Sequence, residues 1–343
     1  MRPLWRREIP QQNVVVNKIV CTFVAAGIAV FAGGCNDSGG DPGAGGARLE
    51  PPRVTATLDV GVGPLEDVTV DESTHTAYIT NSGDNSLSVI DGESHVSKID
   101  VGTKPSGVAV NPATQTAYVT SKADGTVSVV DLVDKSVTAT IGVGKDPEGA
   151  EVDADTHTLY VANVAGNSVS VIDTETNAVT ATIPVGDQPS KMGVDPTSHF
   201  VFVANAGADS SVSVIDPAKR EVIQTIAVGR SPRDVAIDPA TRTGYVPNAN
   251  DGTISVLDTE RFTVLQTIEA GDQPVAATVD PAAHTALVTN YGASTLAIID
   301  TQSQAVVDTV HVGDGPQFVA VDSATHKAYV VNHTDNSVSI LER

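Results

Sequence analysis

The chain has little of what redox and metal centres are usually built from. Of its 343 residues only two are cysteine, Cys21 inside an apolar run and Cys35 after "AGG". No CxxC, HExxH, CxxCH or Gly-rich phosphate loop occurs, so the motif-based readings of a dithiol, a zinc protease, covalent haem or a nucleotide site have nothing to stand on. Basic residues are scarce, 20 Lys and Arg against 42 Asp and Glu, for a net charge of -22. Such a surface repels polyanions. Aromatic residues make up 4% of the chain, with one tryptophan, too few for a stacking platform along a nucleic acid. No long amphipathic helical stretch follows residue 35, and no apolar run reaches the roughly 20 residues that cross a bilayer.

What is present begins with an export signature. Arg2, Arg6, Arg7 and Lys18 precede the apolar run "IVCTFVAAGIAVFA", which ends in small residues and Cys35. Residues 1–34 read as a signal peptide. "FAGGC" resembles a bacterial lipobox, which makes Cys35 the lipidated first residue of the mature chain and the lipid its only membrane attachment. Soluble secretion with Cys35 as a free thiol is the alternative. Residues 35–52, rich in Gly, Pro, Asp and Ala, read as a flexible tether. The segment 1–34 holds four basic and one acidic side chain, so its removal moves the net charge from -22 to -25.

From residue 53 onward the sequence repeats. The proline of "VGxxP" recurs as Pro64, Pro105, Pro147, Pro189, Pro232, Pro274 and Pro316, at spacings of 41, 42, 42, 43, 42 and 42. A period near 42 with four short Val-, Ile- and Thr-rich segments per unit predicts propeller blades rather than helical repeats. The segments of one unit, from axis to rim, are strands a to d, joined by turns rich in Asp, Asn, Gly and Pro. The seventh unit ends after its third strand. "RVTATLDVG", starting at Arg53, matches the outer strands "SVTATIGVG" and "AVTATIPVG" and has no unit of its own. If it completes the last blade, the ring closes and exposed edges are reduced. The expected fold is an all-β, seven-bladed β-propeller of four-stranded blades over residues 53–343, closed by an N-terminal outer strand.

The third-of-a-blade phrases "AYITN", "AYVTS", "LYVAN", "VFVAN", "GYVPN", "ALVTN" and "AYVVN" resemble the YVTN repeat of bacterial and archaeal surface propellers, including the YncE-like group. That resemblance implies an exported or surface-exposed protein. Some relatives bind single-stranded DNA, and related propellers serve as lactonases, lyases or cofactor-bearing dehydrogenase subunits.

Side chains that recur in most blades belong to the blade, whereas singular ones can carry function. His75, His157, His199, His284 and His326 share one position in the a–b turn, spread around the ring, and so cannot converge on a metal. Asp91, Asp131, Asp173, Asp216, Asp258 and Asp300 end strand c and should accept hydrogen bonds from the next turn. Asn81, Asn163, Asn205, Asn248, Asn290 and Asn332 close strand b, and Tyr78, Tyr118, Tyr160, Tyr245 and Tyr329 share a core position in it. No metal or cofactor is called for.

The column at the start of strand a does not repeat. Acids fall on blades 1 and 3 (Glu66, Asp67, Glu148), bases on 4 and 5 (Lys191, Arg233), and Gln317 with an aromatic patch of Phe318, Tyr291 and His333 on 6 and 7. The reading is a polar pocket at the channel mouth, with Lys191 and Arg233 gripping an anion and the patch packing a planar part. The competing readings are that these are solvated loop residues, or that Glu151 pairs with Lys191 across neighbouring blades. The function that follows is an envelope-tethered binding or interaction module for an unidentified protein or small molecule. A hydrolase or lyase using Glu66, Glu148 or His333 is the alternative. DNA binding, which would rest on Lys104, Lys191, Arg230 and Arg233 against a repulsive background, comes third.

Overall fold

The computed structural model describes residues 50–343, so the expected signal peptide, Cys35 and almost all of the expected tether lie outside the described residues. Twenty-eight strands form seven four-stranded antiparallel sheets. Blade 1 shows the pattern, with strand a at Leu65–Asp71, b at Thr76–Asn81, c at Ser86–Ile90 and d at Val96–Asp100. Blade 7 takes its first three strands from Pro316–Asp322, Lys327–Asn332 and Ser337–Glu342 and its fourth from Arg53–Asp59, in the register Val54↔Leu341 to Asp59↔Ser337. The ring is therefore closed by the N-terminal strand.

The cores lie between blades. One cluster joins Tyr78, Leu87 and Val89 of blade 1 to Val108, Val119 and Val130 of blade 2. The seam is built in the same way, with Leu65 and Ile79 of blade 1 packed on Phe318, Tyr329 and Ile340 of blade 7 and with Ala56 and Leu58 of the closing strand. All five repeated tyrosines are buried. The repeated asparagines close strand b by tying it to strand c: Asn163 Nδ2 donates to Ser168 and Ser170 Oγ at 3.2 and 3.0 Å. Its Oδ1 accepts from Gly144 N at 2.9 Å, and a Cβ on Gly144 would lie 2.4 Å from the Asn163 side chain, which explains the glycine of each "VG".

The a–b turns need a residue in the left-handed region. His75, Gln115, His157, His199, Arg242, His284 and His326 supply it, with φ between 49° and 61°. Three of these histidines reach the preceding blade, where an aspartate ends strand a. His75 Nδ1 donates to Asp322 at 2.7 Å, His199 to Asp153 at 2.9 Å and His326 to Asp280 at 2.7 Å, while Gln115 Nε2 donates to Asp71 at 3.0 Å. The strained backbone is thus offset by a charge-assisted tie between blades. The strand c aspartates do cap the following turn, as in Val133 N and Asp134 N on Asp131 Oδ1 at 2.8 and 2.9 Å.

Candidate functional site

Strand a lines the channel in every blade, and its pleat sorts the irregular column into layers. The strands are Leu65–Asp71, Pro105–Asn111, Pro147–Asp153, Pro189–Val194, Ala236–Asp238, Pro274–Asp280 and Pro316–Asp322. Side chains of Glu66, Glu148, Arg233 and Gln317 stand at the mouth. Asp67, Lys191, Asp234 and Phe318 project into the channel, and Glu151 lies one layer deeper, where the other blades carry Thr, Ala or Gly.

Two hollows result. The channel cavity, about 270 Å³, is lined by strand a residues of all seven blades, among them Asp67, Glu151, Lys191, Asp234 and Phe318. Lys191 crosses it from blade 4, ion-paired to Asp67 of blade 1, with its ammonium 4.6 Å from the centre of the Phe318 ring. Burial pushes the Asp67 carboxyl up against the pull of this lysine. Burial also lifts Glu151 to about 8, with Lys191 opposing and Asp234 and Asp67 adding to the shift. Asp234 is raised to about 6 by burial, against Lys191 and the Ala277 and Val235 N–H groups that its carboxylate accepts. The channel thus holds three carboxyls and one ammonium, and Glu151 is largely protonated, a hydrogen-bond donor, at neutral pH. No group of three His, Cys, Asp or Glu among the described residues is arranged to hold a metal ion.

The second hollow, about 390 Å³, opens on the loop face across blades 5, 6 and 7 and is lined by Ser231, Arg233, Asn250, Gln273, Tyr291, Gln317 and His333. Arg233 is 35% exposed, and its ion pair to Glu148 is long, 3.9 Å. Glu148 is held more closely by Lys122 at 2.9 Å and Ser190 Oγ at 2.9 Å. Burial raises Glu148, but Lys122 and Arg233 outweigh it and hold the carboxyl below its ordinary range. Glu66, in blade 1 next to blade 7, accepts from Ser82 Oγ at 3.1 Å. His333 Nδ1 meets the carbonyl of Leu65 at 3.0 Å. A carbonyl only accepts, so Nδ1 is the donor in this bond. Tyr291 leans over Gly315, where φ is +63° and a Cβ would come within 3.1 Å of its ring.

The structure therefore brings together Arg233, Tyr291, Gln317 and His333. It separates the charged group of Lys191 from that of Arg233 and the ring of Phe318 from that of Tyr291: the Lys191 ammonium is engaged inside the channel and Phe318 is buried against it. The pairing of Glu151 with Lys191 is likewise replaced by Lys191–Asp67. Adjacent residues of a strand point to opposite sides, and a column read two at a time merged two layers. Lys122 and Asn250 were not among the expected site residues although they stand out in columns filled elsewhere by Val164, Ala206 and Ala249 and by Gly83, Ala123 and Gly207, whereas Gln273 is hidden in a polar column with Lys104, Asp146, Gln188 and Ser231.

A closed ring of seven four-stranded sheets with irregular residues confined to its channel and one mouth defines a seven-bladed β-propeller. The chain belongs to the family described as "Lactonase, 7-bladed beta-propeller", whose model matches residues 90–343. No curated protein matches. Among solved structures, hydrazine synthase of Kuenenia stuttgartiensis is similar, with a TM-score of 0.74 and 22% identity over 84% of this chain and 97% of that one. That likeness concerns the fold.

Proposed function

We propose that this chain is an exported propeller of the YVTN, YncE-like kind, held to the envelope by a lipid on Cys35, that binds a small molecule in the loop-face cleft of blades 5 to 7. The carrying observation is the convergence of the half-exposed Arg233 guanidinium with Tyr291, Gln317 and His333 in one hollow. A guanidinium with one distant partner is a bidentate donor for a carboxylate or phosphate, and Tyr291 offers a face to a planar group. The ligand class is a small organic acid with a ring or planar part.

The test is a thermal-shift panel on the full chain with sugar acids, aromatic acids, lactones and quinones. A ligand that binds only the native state raises Tm in a concentration-dependent way. The expected shift disappears in Arg233→Ala and shrinks in Tyr291→Ala. A panel with no shift, or a shift indifferent to Arg233, would remove the cleft from consideration. The anchor is tested separately: Cys35→Ala should move the protein from the membrane fraction to the soluble fraction, and retention on the membrane would count against lipidation.

Hydrolysis of a lactone is the second reading. The family match and the place of His333 at the cleft favour it, since an imidazole whose Nδ1 donates to the Leu65 carbonyl keeps Nε2 for a water beside a guanidinium that stabilises the developing oxyanion. Turnover of a panel lactone that is lost in His333→Gln, with binding retained, would move this reading to first place.

A further inference from the structure

Blade 5 breaks the repeat in the strand that carries Arg233. In blades 2, 3, 4 and 6 the a–b ladder pairs the motif proline with the last residue of strand b, Ser121 in blade 2 and asparagine in the others, skips two residues and resumes, as in Pro105↔Ser121 followed by Val108↔Val119, Pro147↔Asn163 followed by Ala150↔Val161, and Pro274↔Asn290 followed by Ala277↔Val288. In blade 5 Pro232 still bridges Asn248, but the ladder resumes only at Ala236↔Tyr245. Residues 233–235 lie outside the sheet, and strand a shrinks to Ala236–Asp238.

The cause is in strand b, Thr243–Asn248, which contains Pro247 where blades 1, 2 and 6 have Thr80, Thr120 and Thr289. The Pro247 carbonyl accepts from Arg233 N at 3.0 Å, so this residue faces strand a. The N–H and C=O of a strand residue point to the same neighbour, and the donor that proline lacks is therefore one strand a would have used. The neighbouring blade accommodates the result. Lys191 N donates to Arg233 O at 3.3 Å, and the Val235 carbonyl lies 2.4 Å from where a Cβ on Gly193 would be. Gly193 is the one glycine in a layer filled elsewhere by Thr69, Ala109, Glu151, Ala236, Thr278 and Ala320. A missing donor on one side and a missing side chain on the other converge on a single three-residue departure, and that departure bears Arg233 to the cleft and Asp234 to the channel.

We propose that Pro247 is a positioning residue for the cleft: by withholding a ladder donor it leaves Arg233 tied to strand b only through its own N–H, keeps residues 234 and 235 off that strand and so presents the Arg233 guanidinium to an anionic ligand. This rests on the cleft reading above, but its test does not need the ligand. In the full chain, Pro247→Thr and Pro247→Ala both restore the N–H. Both should slow amide exchange at residues 234 and 235 at least tenfold, leave Tm unchanged or raised, and cut phenylglyoxal modification of Arg233, read by peptide mass spectrometry, by threefold or more.

A merely structural proline would show the opposite, a lowered Tm with Arg233 labelling unchanged. Unchanged exchange and labelling in both variants overturns the proposal, as does an effect of Thr without Ala, which would assign the change to the hydroxyl. If a panel acid binds wild type, its affinity should fall at least tenfold in both variants. If none binds, the cleft reading fails, while exchange and labelling still decide the role of Pro247.

Discussion

Glu151 occupies a channel layer where every other blade is small or hydroxylated, and it has no cation of its own, because Lys191 is committed to Asp67. Its carboxyl, pushed by burial from 4.5 to about 8, binds a proton more tightly in the folded than in the unfolded chain. The stability this confers is complete below the ordinary carboxylate range and is lost as pH rises through about 8. Asp234, raised by burial to about 6, loses its share earlier. Wild-type Tm should therefore fall in two stages on going from pH 4.5 to 8.5. In Glu151→Gln the second stage, above pH 6.5, should vanish and the variant should melt higher than wild type at pH 8.5, while the Asp234 stage remains. A wild type whose Tm is flat from pH 6.5 to 8.5 would mean that Glu151 is ionised throughout. The singularity of Glu151 was legible in the sequence, because a column of seven aligned residues exposes an outlier. Its charge state was not, because that depends on which carboxyls share the cavity and on whether the lysine is already taken.

At the scale of the strand and turn, the repeat made most of the architecture legible. Period, blade number, turn chemistry and the closing strand Arg53–Asp59 all follow from matching one unit against the next. Matching is weaker at saying which way a side chain points. The start of strand a carries a register irregularity in blades 1 to 4, 6 and 7, between Leu65 and Asp67 or between Pro105 and Val108 for example, and simple alternation counted from the motif proline is unsafe across it. Lys191 and Arg233 therefore read as one anion grip although one is buried in the channel and the other stands at the mouth. The break in blade 5 was written as "GYVPN", a proline within a strand phrase, which should demote the neighbouring pairing on backbone chemistry alone. The a–b histidines were legible as turn residues. Their bonds to the preceding blade, such as His326 to Asp280, depend on which blades are neighbours in the closed ring.

The chain is acidic, with a net charge of -22 in the full sequence and -25 once residues 1–34 are set aside, and among the described residues its propeller bears a loop-face cleft whose leading charged group is a guanidinium. An anion approaching that cleft meets two opposing fields of different range. The repulsion is long-ranged, summed over many carboxylates spread around the ring, whereas the attraction of Arg233 acts at contact. Salt with a Debye length of about 10 Å at 0.1 M removes the first much more than the second. Most anion sites weaken as salt is added; this one should strengthen, through a faster on-rate, between about 10 and 100 mM NaCl before specific-ion competition sets in. Titrating a panel acid by calorimetry across that range checks it. A Kd that rises steadily with salt would show that local positive charge dominates the approach, placing the ligand nearer Lys122, Arg230 and Arg233 together than Arg233 alone. A Kd that falls fits an anion admitted by a single guanidinium against the field of its own scaffold.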